Sequence, residues 1–242
     1  MQASSVTRAL WILDLIAHAD RPVPLRHIAE TLEIPKSTAH GILRDLVRER
    51  FLDVREPATY TIGIKAFEVG AAHLRTAGLD GLIAGELARL SRALDVTAHY
   101  AVLDGTEAVY LYKQDPPGPG VQLASSVGAR LPSHLTAVGK CCLAWLEPAQ
   151  ATAHVASAAA DDRAALAAEL TDVRSRGYAT DHGRVADGIE CVAAPVFDAA
   201  GPKGAVGVSY LRGSASRVED TFVEHVQQTA QRLTSILGGT PQ

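Results

Sequence analysis

Apolar residues recur at helical spacing through the first part of the chain and alternate with polar ones in two later stretches. Val6, Leu10, Leu13 and Ile16 form one stripe of a first helix, with Ser5 as its N-cap. Asp20-Arg21-Pro22 ends that pattern. Pro24 suits the first turn of a second helix whose apolar positions are Leu25, Ile28, Ala29 and Leu32. After a tight Glu33-Ile34-Pro35 connection, a third helix is expected from Lys36 to Glu49. FLDVR (51–55) and TYTI (59–62) read as short strands around Glu56-Pro57-Ala58. One or two helices follow from Ile64 to Leu94, interrupted by Gly78, Gly81 and Gly85, as a connector.

Beyond the connector the character changes. Residues 96–114 alternate about an Asp104-Gly105 turn, which predicts a hairpin. DPPGPG (115–120) is a loop, Thr136–Leu146 an apolar helix, and Pro148–Leu170 an Ala-rich helical stretch. CVAAPVF (191–197) and GAVGVSYL (204–211) form a second hairpin, in which Pro195 demands an edge or a bulge. Val218–Leu237 is a closing amphipathic helix. Hairpins with helices between them predict an α+β fold on an antiparallel sheet, with helices covering one of its faces.

With 242 residues, 47 % hydrophobic and 21 % charged, the chain has ordinary globular composition, which excludes disorder and fibrous repeats. No apolar run reaches the roughly 18 residues of a membrane span. The N-terminal stretch contains Asp14 and lacks a secretory signal pattern, so a soluble cytoplasmic protein with no membrane partner is expected. Three cysteines, Cys141 and Cys142 adjacent, build neither a disulfide framework nor a zinc site. The net charge of −4 is unevenly spread. Residues 1–65 carry nine Lys/Arg against eight Asp/Glu, and the remainder 14 against 19. A DNA-binding N-terminus on an acidic body is thereby permitted, not established.

The third helix holds the most specific chemistry. At 100° per residue, Ala39, Ile42, Leu43 and Leu46 share one face, and Ser37, His40, Gly41, Arg44 and Arg48 share the other. Lys36, Ser37 and Thr38 open the helix, where free N–H groups favour an anion such as phosphate. Arginine can grip guanine O6 and N7 with two hydrogen bonds, and hydroxyls and histidine reach bases or phosphates. The alternative is a solvated helix in a small bundle. The short helix before the tight turn and the two strands after it favour DNA reading.

SVTRALWILDLI and LRHIAETLEIPKSTAHGILRDLVRERFL, above all IPKSTAHGIL, resemble the winged helix-turn-helix of the IclR family of bacterial transcriptional regulators. RLPSHLTAVGKCCLAWL (130–146) and GYATDHGRVADGIECVAAPVFD (177–198) resemble that family's effector-binding domain. The resemblance implies a winged helix-turn-helix domain over 1–63, a linker helix over 64–80 and a GAF-like effector domain over 81–242. It also implies double-stranded operator DNA as partner, a small-molecule effector, and homodimers that often pair into a dimer of dimers. The expected DNA contacts are Lys36, Ser37, Thr38, His40, Gly41, Arg44 and Arg48. Arg55, Thr59 and Tyr60 flank the wing tip and read equally well as ordinary turn residues. Gly41 stands where the family commonly has Arg, which either admits a close backbone approach or changes the operator sequence; the second is favoured. Arg50 stands where the family usually has Gly.

For the effector, the resemblance points to Leu123, Leu131, Ala137, Val138, Asp181, Ile189, Cys191 and Ser209. The Ser209 match requires a one-residue shortening of the Gly201–Gly204 loop. First-turn N–H groups at Ala137 and Val138 can hold a carboxylate without a basic side chain. Arg184, where the family often has Glu, places positive charge near the pocket mouth and favours an anionic effector, an organic or aromatic acid.

An enzyme and a DNA-independent ligand-sensing module are the competing readings. The chain has no G-x-S-x-G elbow, no phosphate-cradling Gly-Lys-Ser/Thr loop and no G-x-G-x-x-G opening a helix. Ser133 and His134 are sequence neighbours, a poor arrangement for nucleophile and base. His99, His134 and His182 with Asp181 match no ligand spacing; satisfied or solvated histidines explain them. No catalytic residue, metal or cofactor is expected.

Overall fold

The computed structural model describes residues 3–55, 58–76, 81–117, 126–147, 150–151, 154–155, 162–213 and 219–240. The chain divides into two compact units, Met1–Leu79 and Asp80–Gln242.

The first unit contains α1 (Ser5–Ala17), β1 (Val23–Pro24), α2 (Leu25–Thr31), α3 (Lys36–Arg48), β2 (Leu52–Arg55), β3 (Thr59–Ile62) and α4 (Ile64–Thr76). The N-cap of α1 is Ser4, one residue before the expected Ser5; its side chain accepts from the Thr7 N–H at 3.1 Å. The buried face of α1 keeps Leu13 and Ile16 of the expected stripe but not Val6 and Leu10. Ile12 and Ile16 enter the core with Leu13 and Leu15 beside them, whereas Val6 and Leu10 are 71 % and 59 % exposed. Residues 10–16 are apolar nearly all round, so spacing alone could not select the face that packs. Val23–Pro24 adds a third strand, pairing with Thr59 and Tyr60 of β3, that two residues could not announce in sequence. The core joins Ile12 and Ile16 to Ile28, Ala39, Leu43, Leu52 and Tyr60.

The turn from α3 into the wing explains the oddity at position 50. Phe51 N–H donates to Leu46 O at 2.9 Å and Arg50 N–H to Val47 O at 3.0 Å, a Schellman closure of the helix. Its αL residue is Arg50, at φ 64°. A side chain there costs about 1–2 kcal/mol relative to glycine, the residue the resemblance leads one to expect.

The second unit contains α5 (Leu82–Leu94), β4 (Thr97–Asp104), β5 (Glu107–Gln114), β6 (Arg130–Pro132), α6 (Ala137–Ala144), α7 (Arg163–Arg176), β7 (Ala179–His182), β8 (Ile189–Asp198), β9 (Gly201–Leu211) and α8 (Glu219–Ile236). The strands form one antiparallel sheet in the order β6-β5-β4-β9-β8-β7. Helices cover both faces, not the one face expected. Ala179, Ala193 and Ala205 pack with α6 and α7, in the cluster of Cys141, Leu143, Leu170 and Val173. Strand residues of the opposite parity, such as Tyr210, meet α8, whose Phe222 ring lies 4.7 Å from the Tyr210 ring. Double coverage buries β8 and β9 nearly without interruption, which erases the in–out alternation of a one-sided sheet.

Pro195 is accommodated beyond the last β7 partner of β8, since β7 pairs only as far as Ala193, and one residue before a register shift at Val196/Phe197. The Ala-rich stretch is helical at 150–151 and 154–155 and again in α7, which runs to Arg176, past the expected end at Leu170; most of 148–161 lies outside the described residues. Cys141 and Cys142 are helix-core residues. Burial pushes the Cys142 thiol up to about 12 and the Cys141 thiol higher still, so neither is a thiolate at neutral pH. No described helix is long and apolar enough to cross a membrane.

Candidate nucleic-acid interface and effector cavity

Helix α3 buries Ala39 and Leu43 and half-buries Ile42, Leu46 and Val47 against the first unit's core. Packing therefore fixes which way the other face looks. Lys36, Ser37, His40, Arg44 and Arg48 are exposed on it, with Thr38 and Gly41 half-buried. Pro35 precedes the helix and gives its first turn no side-chain cap, while its carbonyl accepts from the Ala39 N–H at 2.9 Å. The N–H groups of Lys36, Ser37 and Thr38 are thus left to an outside acceptor.

The two arginines of this face differ. Arg48 is paired with Asp45 at 3.2 Å and Glu49 at 3.0 Å, and its hydrogen bond to Glu49 raises its pKa. Arg44 has one looser contact, with Asp45 at 3.6 Å, and is the freer of the two. A Cβ built at Gly41 meets nothing within 4 Å, so no packing among the described residues requires glycine there. In the wing, Arg55 is exposed and pairs in register with half-buried Thr59, whose hydroxyl donates to Arg55 O at 3.4 Å. Tyr60 is 7 % exposed and belongs to the core, which removes it from the wing-tip contacts.

In the second unit a cavity of about 280 Å3 lies between the α6 side of the sheet and the start of α6. Leu131, Ala137, Val138, Asp181, Ile189, Cys191 and Ser209 all line it. Leu123 lies outside the described residues. The sequence reading missed His99, Tyr110, Ala129, Thr136, Val185 and Ala186. Thr136 caps α6, accepting from the Gly139 N–H at 3.0 Å, and leaves the N–H groups of Ala137 and Val138 without intrahelical partners. Gly139 lets that turn press against the preceding loop: a Cβ there would meet Ser133 O and stand 2.5 Å from Ser133 Cα. Behind it, buried Lys140 donates to Glu169 and to Thr180 O, tying α6 to α7 and β7.

The polar floor follows from strand register. Ser209, Cys191 and Asp181 sit opposite one another across β9, β8 and β7. Cys191 Sγ and Ser209 Oγ are 3.1 Å apart. Burial pushes the Cys191 thiol up to about 12, so it stays protonated. Asp181 is 2 % exposed and accepts from the Arg184 N–H at 2.8 Å; burial raises its pKa. The Arg184 side chain does not line the cavity. It lies 3.7 Å from Asp162, whereas its neighbours Val185 and Ala186 line the wall, so the charge expected at the mouth has a carboxylate partner.

His99 is not solvated and is not fully satisfied: it is 2 % exposed and its Nδ1 has no hydrogen-bond partner among the described residues. Burial, helped by Lys113, pushes its pKa down to about 4, so it is neutral at physiological pH. His182 is exposed and 3.9 Å from Glu190. Among the described residues no group of His, Cys, Asp and Glu could hold a metal ion.

An exposed helix-turn-helix face with a wing, in one unit, and a ligand-sized cavity in the other define a DNA-binding regulator with a sensor domain. The IclR helix-turn-helix domain matches residues 5–56 and the bacterial transcriptional regulator IclR C-terminal domain matches residues 72–235; the chain belongs to the IclR family of transcriptional regulators. It is 33 % identical over 248 residues to the HTH-type transcriptional regulator XynR of Escherichia coli, covering 97 % of each chain. An IclR transcriptional regulator from Alicyclobacillus acidocaldarius superposes with a TM-score of 0.84 at 27 % identity, over 98 % of this chain and 100 % of that one. An IclR homologue from Microbacterium hydrocarbonoxydans, complexed with 4-hydroxybenzoate, shares the fold with a TM-score of 0.83 at 20 % identity, over 97 % and 99 % of the two chains. Like its family, the chain is a DNA-binding transcriptional regulator with a C-terminal effector-binding domain.

Proposed function

We propose that α3 lies in the major groove of an operator, with its uncapped first turn at Lys36, Ser37 and Thr38 on a phosphate and His40 and Arg44 at base edges. The observation that carries this reading is the exposure of that face while Ala39 and Leu43 anchor the opposite one. Arg48, held by two carboxylates, contributes less than Arg44. Arg55 and Thr59 reach the backbone from the wing. The protein works in the cytoplasm as a homodimer on two half-sites. The exposed apolar residues Val6, Leu10 and Trp11 of α1 and Phe67 of α4 support burial against a second copy.

The effector is a small organic acid bound in the cavity, its carboxylate on the Ala137 and Val138 N–H groups and the remainder against Leu131, Ile189, Cys191 and Ser209. The 4-hydroxybenzoate held by the Microbacterium homologue supports this class. Such a ligand matters only if it binds two forms of the dimer unequally, and a coupling of about 1–3 kcal/mol is enough. The helices between Ile64 and Leu94 carry that coupling.

Titration of a fluorescent promoter fragment tests the DNA reading. If about six phosphates are contacted, affinity falls roughly 1,000-fold between 50 and 200 mM salt. A salt-independent or absent interaction contradicts it. Gly41→Arg supplies a second test. The side chain has open space, and removing a mid-helix glycine raises stability by up to about 1 kcal/mol. The melting temperature therefore rises while the preferred operator sequence changes; an unchanged preference would refute the role given to position 41.

A further inference from the structure

Three side-chain polar atoms among the described residues are buried without a hydrogen-bond partner: His99 Nδ1, Tyr100 Oη and Trp145 Nε1. Of these three residues only His99 lines the cavity. Buried polar groups are ordinarily paired, and leaving one unpaired is destabilising. We propose that the His99 imidazole is the specificity-determining group of the cavity, hydrogen-bonding a hydroxyl of a small hydroxylated carboxylic acid. The proposal rests on the effector reading above and names the ligand's second polar group.

Register places His99 beside the polar floor. It pairs with Gly207 on β9, two residues along from the pairing of Thr97 with Ser209, and so shares the face that carries Ser209, Cys191 and Asp181. Gly207 keeps the space next to the ring clear, since a Cβ there would stand 3.0 Å from His99 Nε2. The Tyr110 ring, 5.2 Å away at 57°, packs against the imidazole and holds its orientation. The neutral ring carries one N–H and one bare nitrogen. A hydroxyl both donates and accepts, so it satisfies either tautomer, whereas a carboxylate only accepts.

Charge then sorts the ligand's two ends. The α6 N-terminus attracts the anionic end. Asp181 on the floor repels a second carboxylate but accepts from a hydroxyl. At about 280 Å3 the cavity lies just under the roughly 300–1,000 Å3 of drug-sized sites, which suits a single ring. Tyr110, Leu131 and Ile189 give that ring apolar walls.

Isothermal titration of the full chain with benzoate, 3-hydroxybenzoate and 4-hydroxybenzoate tests this. The wild type binds at least one hydroxybenzoate tenfold or more tightly than benzoate. His99→Leu binds benzoate within about threefold of the wild type and loses the preference. His99→Phe, which keeps a ring against Tyr110, gives the same result and decides the matter if the leucine variant fails to fold. A preference that survives in the folded variant, no preference in the wild type, or no binding of any of the three acids overturns the proposal. The benzoate arm separates the two readings: equal binding of benzoate and the hydroxybenzoates leaves the organic-acid reading standing while the hydroxyl proposal fails, and no binding of any of the three removes the organic-acid reading itself.

Discussion

Gly139→Ala is expected to lower the melting temperature of the sensor unit by about 4–8 °C, a net loss of roughly 2 kcal/mol. Alanine favours a helix interior by about 1 kcal/mol over glycine. Here that gain is outweighed, because the new methyl group collides with the backbone of Ser133 rather than with a side chain that could swing away. Overpacking against such a neighbour costs roughly 3 kcal/mol, and each kcal/mol moves the transition of a domain this size by about 2–4 °C. The shift that relieves the clash also displaces the Ala137 and Val138 N–H groups, so response to effector weakens with stability. Gly85→Ala is the control. It lies within α5, a Cβ there meets nothing within 4 Å, and the same substitution should stabilise by up to about 1 kcal/mol. Scanning calorimetry of both variants checks the pair; a Gly139→Ala protein as stable as the wild type would show that the α6 turn is not held as described.

Arg44→Ala is expected to weaken operator binding by about 1–3 kcal/mol, roughly 5- to 150-fold. It should also relax sequence preference at one position of each half-site. Arg44 is exposed, has only the 3.6 Å contact with Asp45, and adds nothing to the core, so stability should change by less than about 0.5 kcal/mol. Arg48→Ala should cost less in binding, since Asp45 and Glu49 already hold its guanidinium. Equal losses for the two variants, uniform across sequences, would mean that both arginines touch phosphates rather than bases.

The residues legible in sequence were those whose pattern admits one interpretation. In α3, polar residues on one side leave a single face for Ala39 and Leu43 to bury, and the orientation of His40 and Arg44 follows. Asp104-Gly105 allows little but a hairpin, and the structure has Gly105 at φ 57° between β4 and β5. In α1 the apolar residues surround the helix; Leu13 and Ile16 of the expected stripe reach the core, but the choice of Ile12 over Val6 and Leu10 was made by tertiary packing. The cavity divides similarly. Asp181, Cys191 and Ser209 were named through resemblance, and strand register sets them in one row. His99 and Tyr110 were missed because both faces of the sheet are covered. Burial on β4 runs unbroken from Thr97 to Ala101, and period-two reading then cannot tell which parity meets α6. The weak signals were a histidine inside an apolar strand and, across the sheet, a glycine in GAVGVSYL.

Selection of duplexes from a randomised pool by the full-length protein tests the groove-reading role of α3 most directly. Enrichment of an inverted repeat, with half-sites about one helical turn apart and one conserved guanine that Arg44→Ala no longer selects, is the expected result. A pool that stays random, or an enriched sequence unchanged by Arg44→Ala, would contradict it.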